Sequence, residues 1–119
     1  MYSGLFLVNN NISVNIQSYK DKKTALMYLA SFENINDEML NLAKQIIRSN
    51  SVDINTQDTE GNTALHITIK SRNKHLFKEI IFNQNCKPDL NIKNKHDHSV
   101  LWLALIQSEE LGIHYNHLL

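Results

Sequence analysis

The stretch Asp58-Thr59-Glu60-Gly61-Asn62-Thr63-Ala64-Leu65-His66 decides how the chain folds. Asp and Asn can hydrogen-bond their own backbone here, and Gly61 can take a positive φ without steric penalty. Thr63 stands where a helix should start, its hydroxyl able to accept a bond from an otherwise orphaned N–H. A tight turn opening directly into a helix is the reading. Degraded copies flank it: Thr24-Ala25-Leu26-Met27 lies 39 residues upstream, and Ser99-Val100-Leu101-Trp102 lies 36 residues downstream. Recurrence at that interval signals stacked repeats rather than a single globular core. It also assigns most polar residues to loops and outer faces, where an isolated reading makes several of them catalytic.

Working outward, the spacing predicts a first helix over about Ala64 to Ser71 with Leu65, Thr68 and Ile69 on one stripe. Arg72-Asn73-Lys74 is a polar break. A second helix from about His75 to Asn83 buries Leu76, Phe77, Ile80 and Ile81 on one face, and Pro88 bars it from continuing. The upstream unit keeps this order. Asn15 to Lys23 make its turn, Thr24 to about Phe32 its first helix, and Asp37 to about Ser49 its second, capped by Asn36 or Asp37. Leu42, Ala43, Ile46 and Ile47 repeat the apolar set, and five extra residues, Phe32 to Asn36, enlarge the inter-helix loop. The downstream unit runs from Asp89 to Gln107 and then turns irregular, leaving Leu111, Tyr115, Leu118 and Leu119 to form its second helix. The organisation expected is therefore a partial unit or cap over 1–13 and units over 14–51, 52–88 and 89–119. Helices of this length are unstable alone, so each unit must bury its apolar face on a neighbour. Two whole and two partial units are near the lower limit for an independent solenoid, which suits a segment of a longer array.

These residues resemble the ankyrin repeat, whose pattern is an Asp, a Gly and then Thr-Pro-Leu-His opening the first of two antiparallel helices. Asp58, Gly61, Thr63, Leu65 and His66 match it, Ile80-Ile81 match its second-helix pair, and the likeness covers roughly residues 14 to 107. The resemblance implies an all-α, ankyrin-type solenoid of about three helix-turn-helix units joined by β-turn fingers. It departs at the Pro, which is Ala25, Ala64 and Val100 here, and at the His, replaced by Met27 and Trp102. The Gly is replaced by Lys22 and Asp97. Lys and Asp tolerate positive φ poorly or only moderately, so only Gly61 is expected to adopt one. Gly61→Val is accordingly expected to cost more than Lys22→Val. Ser99 to Leu105 is further similar to a variant in the rabankyrin group, large endosomal proteins with many such repeats and a separate lipid-binding finger.

Composition narrows the function. Twelve basic and twelve acidic residues leave a formal net charge of zero, so no global field draws the chain to nucleic acid or anionic lipid. The longest apolar run, Val100 to Ile106, is far too short to span a bilayer, and no direct membrane insertion is expected. Met1 to Val8 lacks the basic and long apolar regions of a signal peptide. A single cysteine fits a reducing compartment, and a cytoplasmic address follows.

Each tempting chemical residue has a plainer reading. His66 invites catalysis, but in the ankyrin pattern it braces Thr63 and the neighbouring turn by hydrogen bonding. Cys86 lies in a loop without a nucleophile motif and reads as an inert thiol. His96, His98, His114 and His117 offer H-x-H and H-x-x-H, yet no Cys pair accompanies them and the first pair belongs to a turn tip. Trp102 could anchor a partner, although packing inside the repeat suits its position better. With no phosphate loop or nucleophile elbow, neither an enzyme nor a cofactor is expected. The expected role is binding another protein on a ledge of turn tips and first helices, by a monomer or part of a longer array. Positions left over by the fold are Lys20, Asp21 and Lys23 in the first unit and Thr59, Glu60, Asn62, Lys70 and Ser71 in the second. Lys95, His96, His98 and Gln107 complete the set in the third. The rival readings are an architectural spacer within a larger protein and a metal-dependent or thiol enzyme.

Overall fold

Among the described residues, polar side chains at five positions open five helices. In the computed structural model, which describes residues 13–49, 51–83 and 86–111, Thr24 accepts from the Met27 N–H and starts α1, Ala25–Ala30. Asn36 caps α2, Asp37–Arg48, and Asp37 and Glu38 in its first turn complement the helix dipole. Thr63 caps α3, Ala64–Ser71, and Asn73 caps α4, Lys74–Phe82. The Ser99 hydroxyl accepts from the Trp102 N–H at the start of α5, Val100–Leu111. Among the described residues there is one isolated antiparallel bridge, Lys93 to Ser99, and no strand.

The helices pair and stack. α1 packs on α2 and α3 on α4; α1, α3 and α5 form an inner row, with α2 and α4 behind. This all-α row of hairpins joined by fingers is the expected ankyrin-type solenoid. The core runs through every layer: Leu26 and Met27 on α1, Ala43, Ile46 and Ile47 on α2, Leu65 and Ile69 on α3. Leu76, Phe77 and Ile80 on α4, with Val100 and Leu103 on α5, continue it. α3 differs from the expected single stripe, since all of Ala64 to Ile69 is buried. It lies between α1 and α5 and has α4 behind it, so three sides of a short helix are covered.

The enlarged loop after α1 is present: Ser31 to Asn36 separate α1 from α2, whereas only Arg72 and Asn73 separate α3 from α4. Two expectations need correction. Leu111, assigned to a second helix of the third unit, is the last residue of α5 instead, which runs past Gln107. Tyr115, Leu118 and Leu119 lie outside the described residues, as do His114 and His117. Positive φ is also not confined to Gly61. Lys22 has φ 58° and Asp97 φ 65°, close to the 76° of Gly61, so all three fingers make the left-handed turn whether or not glycine is there.

Gly61 remains special for another reason. A Cβ placed on it would meet the backbone of the next finger, 2.8 Å from the Lys95 nitrogen and 3.0 Å from the Asn94 Cα. The equivalent finger of the first unit is one residue longer: Ser18 to Lys22 close its turn, where Asp58 to Gly61 close the second. Lys22 is exposed there. Close approach of fingers two and three, more than φ itself, excludes a side chain at position 61.

Candidate functional site

Fingers two and three are each built by one polar residue holding its own turn. The Asp58 carboxylate Oδ1 accepts the Glu60 and Asn62 N–H groups, both at 2.9 Å, and Asn94 Oδ1 accepts those of His96 and His98 at 3.0 and 3.1 Å. Neighbouring fingers are then tied in sequence. The Thr59 N–H donates to the Asp21 carbonyl and the Lys95 N–H to the Glu60 carbonyl, both at 3.0 Å. Side chains repeat the tie: Gln17 donates to the Gln57 carbonyl at 3.0 Å, and Gln57 to that of Lys93 at 3.3 Å. Asn15 Oδ1 accepts from the Asp53 N–H at 2.7 Å, and Asn55 Oδ1 from that of Asp89 at 2.8 Å. This second set was visible in the sequence as Asn-x-Gln at 15–17 and 55–57, a signal that motif reading passed over.

His66 joins turn, helix and following unit. Its Nδ1 accepts the Thr63 N–H at 3.1 Å, so the ring proton is on Nε2, which donates to the His98 carbonyl at 2.9 Å. The ring is fully buried, and burial holds its pKa below the ordinary 6.5 against the opposing pull of that carbonyl. Its structural bracing is thus as expected. Behind the inner row, Ser71 donates to the Ala30 carbonyl at 2.5 Å and Asn73 to that of Leu29 at 3.3 Å. Two carbonyls at the C-terminal end of α1 are satisfied by side chains more than forty positions away.

Fingers one and two, Ser31 at the end of α1 and helix α3 line an open groove of about 370 Å³. Seven of the twelve candidate residues line it: Asp21, Lys23, Thr59, Glu60, Asn62, Lys70 and Ser71. Ser31, Asp58 and Ile67 complete it and had not been singled out for binding. The remaining candidates are elsewhere. Lys20 is exposed on finger one; Lys95 and His96 are exposed and His98 half-buried on finger three; Gln107 is half-buried late in α5. Six of the twelve are not exposed: Asp21, Lys23, Ser71, His98 and Gln107 are half-buried and Asn62 is buried, and two of these are needed by the fold. Asn62 is buried, its Oδ1 accepting from Asn94 Nδ2 at 2.9 Å, and Ser71 is half-buried on its bond to Ala30. Both help hold one unit to its neighbour.

Electrostatically the groove is largely self-satisfied. The Asp21 carboxylate accepts from the Ser18 hydroxyl, from the Lys23 N–H at 3.1 Å, and from the Tyr28 hydroxyl at 2.9 and 3.0 Å. Its pKa is held below the usual value, chiefly by the Ser18 bond. Glu60 is lowered likewise by its 2.8 Å contact with the Lys95 ammonium. The Lys23 ammonium lies 5.8 Å from the centre of the Tyr28 ring. Lys70 is exposed, and among the described residues no carboxylate is within ion-pair distance of it.

At the far end, Trp102, Leu105 and Ile106 on α5 are 44 to 59% exposed, and the His98 ring stacks on Trp102 with centroids 4.3 Å apart. Trp102 takes the place of His66, yet it lies on an outer face rather than inside the stack. Cys86 is buried, with its thiol donating to the Ile47 carbonyl at 3.5 Å, and burial pushes its pKa up, which disfavours the nucleophilic thiolate. Among the described residues, no three of His, Cys, Asp and Glu are grouped so as to hold a metal ion, and no helix is long and apolar enough to cross a membrane.

Stacked helical hairpins, tied finger to finger and locked by a buried Thr–His pair, define a repeat scaffold of the ankyrin type. Residues 60–95 match the family model for the ankyrin repeat. Such repeats generally mediate protein–protein interaction and are typically non-enzymatic. Rabankyrin-5 of Homo sapiens is 27% identical over 112 residues and Rabankyrin-5 of Mus musculus 28% over the same length, each alignment covering 88% of this chain. The chain spans 9% of the length of these relatives.

Proposed function

We propose that the chain is a docking module whose groove between fingers one and two, Ser31 and helix α3 receives a segment of a partner protein. The observation that carries this reading is the groove itself. It gathers residues from four separate elements over an apolar floor at Ile67, on a frame whose own hydrogen bonds are already closed. A rigid frame loses little conformational entropy on docking. Lys23, Thr59 and Lys70 are the side chains in the groove with most freedom to meet a partner. Lys20, Lys95, His96, His98 and Gln107 extend the same face only if the partner reaches past it.

The test compares proteins captured from cells by the parent chain, by Thr59→Trp, which fills the groove, and by Lys78→Trp on the exposed side of α4. Partners lost only with Thr59→Trp support groove docking. A capture profile indifferent to Thr59→Trp refutes it and favours the second reading, an architectural segment of a larger multi-repeat protein. That second reading is supported by the small share of Rabankyrin-5 that the chain spans. The resemblance to the rabankyrin group makes an endosome-associated, cytoplasmic-side location part of this proposal, testable by microscopy of the tagged parent protein.

A further inference from the structure

Resting on the groove as the docking site, we infer that it selects a partner segment carrying an anionic side chain, received by Lys70. The reasoning is an inventory of unmet hydrogen-bonding and charge capacity. Asp58 is buried, and its Oδ1 accepts two backbone N–H groups. Asp21 accepts from Ser18, Lys23 and Tyr28, with both oxygens engaged. Glu60 is bonded to Lys95 across the finger junction. Each carboxylate of the groove thus has at least one oxygen committed to the finger frame, and an incoming Lys or Arg would compete with those bonds.

The donors are in the opposite condition. Lys70 projects from the last turn of α3, exposed and without an ion pair among the described residues, and it acts on the Glu60 carboxylate only through space. The Thr59 hydroxyl makes no hydrogen bond to another described residue, and Lys23 is engaged only loosely, over the Tyr28 ring and near Asp21. The lining carries three carboxylates, Asp21, Asp58 and Glu60, and two ammonium groups, Lys23 and Lys70, a formal charge of −1 that Lys95 offsets beside Glu60, so distant attraction is weak and selection acts at contact. An aspartate, glutamate or phosphorylated side chain entering between the fingers would meet Lys70 and Thr59, with its stem against Ile67. The shared chemistry is an anion on a peptide; carboxylate and phosphate are distinguished by the assay.

The full chain is panned against a random peptide display library, counter-selected on Thr59→Trp so that only groove-dependent peptides survive. The expected result is enrichment of Asp and Glu in the selected peptides. Their affinity should fall by about tenfold or more with Lys70→Glu and less with Lys70→Gln, and be kept with Lys70→Arg. Resynthesis with phosphoserine at the enriched position then shows which anion is preferred. Groove-dependent peptides without acidic enrichment, or ones indifferent to Lys70→Glu, overturn the anion inference and leave the docking site standing. Absence of any groove-dependent peptide overturns both. Unchanged melting of the Lys70 and Thr59 variants, followed by circular dichroism, excludes misfolding as the cause.

Discussion

Gly61→Ala isolates the contact between fingers two and three. The substitution adds one methyl group at a position with φ of 76°, where a Cβ costs about 1–2 kcal/mol in left-handed backbone. The same methyl carbon would stand 2.8 Å from the Lys95 nitrogen and 3.1 Å from the Asn94 carbonyl carbon, both backbone atoms that no rotamer change can move aside. Finger three must shift, which threatens the 3.0 Å bond from the Lys95 N–H to the Glu60 carbonyl, a bond contributing about 1 kcal/mol. The combined loss is about 2–3 kcal/mol, or roughly 8–12 °C in Tm for a domain near this size. Urea and thermal unfolding by circular dichroism at 222 nm measure it directly. Lys22 provides the control, since it has nearly the same φ in the longer first finger and is exposed. Lys22→Ala should be close to neutral, and Lys22→Gly should gain up to about 1 kcal/mol by relieving strain. A Gly61→Ala protein within about 0.5 kcal/mol of the parent would refute the close approach of the fingers as a constraint.

Three further outcomes are expected. Ile80→Asp places an unpaired charge at a fully buried position of α4 and should cost more than about 4 kcal/mol, abolishing the helical signal at 25 °C; retention of the parental melt would disprove the packing described. His66 has a folded pKa below its ordinary 6.5, so its neutral form contributes stability fully above that value and loses it as pH falls from 6.5 towards the folded pKa. Urea midpoints of the parent should therefore drop between pH 7.5 and pH 5.5 by more than those of His66→Ala; parallel curves would exclude His66 as the titrating lock. The Cys86 thiol, buried and with a raised pKa, should react slowly with an aromatic disulfide reagent in the native protein and rapidly in urea. Fast native labelling would contradict its burial.

Helix positions were legible because the signals that set them are local. Thr24, Asn36 and Thr63 cap helices by bonding an N–H three residues on, so neighbouring sequence is enough to find them. The register of α3 and the enlarged loop before α2 follow from equally local spacing. Asn73 was read only as part of a polar break, although it caps α4 and is fully buried. Its burial depends on the Leu29 carbonyl, 44 residues away, which no local pattern announces. Lys22 and Asp97 misled in the opposite direction: intrinsic preference disfavours positive φ there, and the turn geometry overrides it. Seven candidate positions converged on the groove because place within the repeat predicts which side of the hairpin a residue occupies. Asn62 was misread as exposed because its burial is made by Asn94 in the next unit.

Period, caps and apolar spacing were sufficient to define helical hairpins that must stack, since short helices cannot hide their apolar faces by themselves. Which side chains clamp neighbouring units, which carboxylates are already satisfied, and which lysine is left open could be decided only by tertiary structure. Those properties depend on atoms brought together from more than thirty positions apart, and the distances between them are set by how closely one hairpin settles on the next.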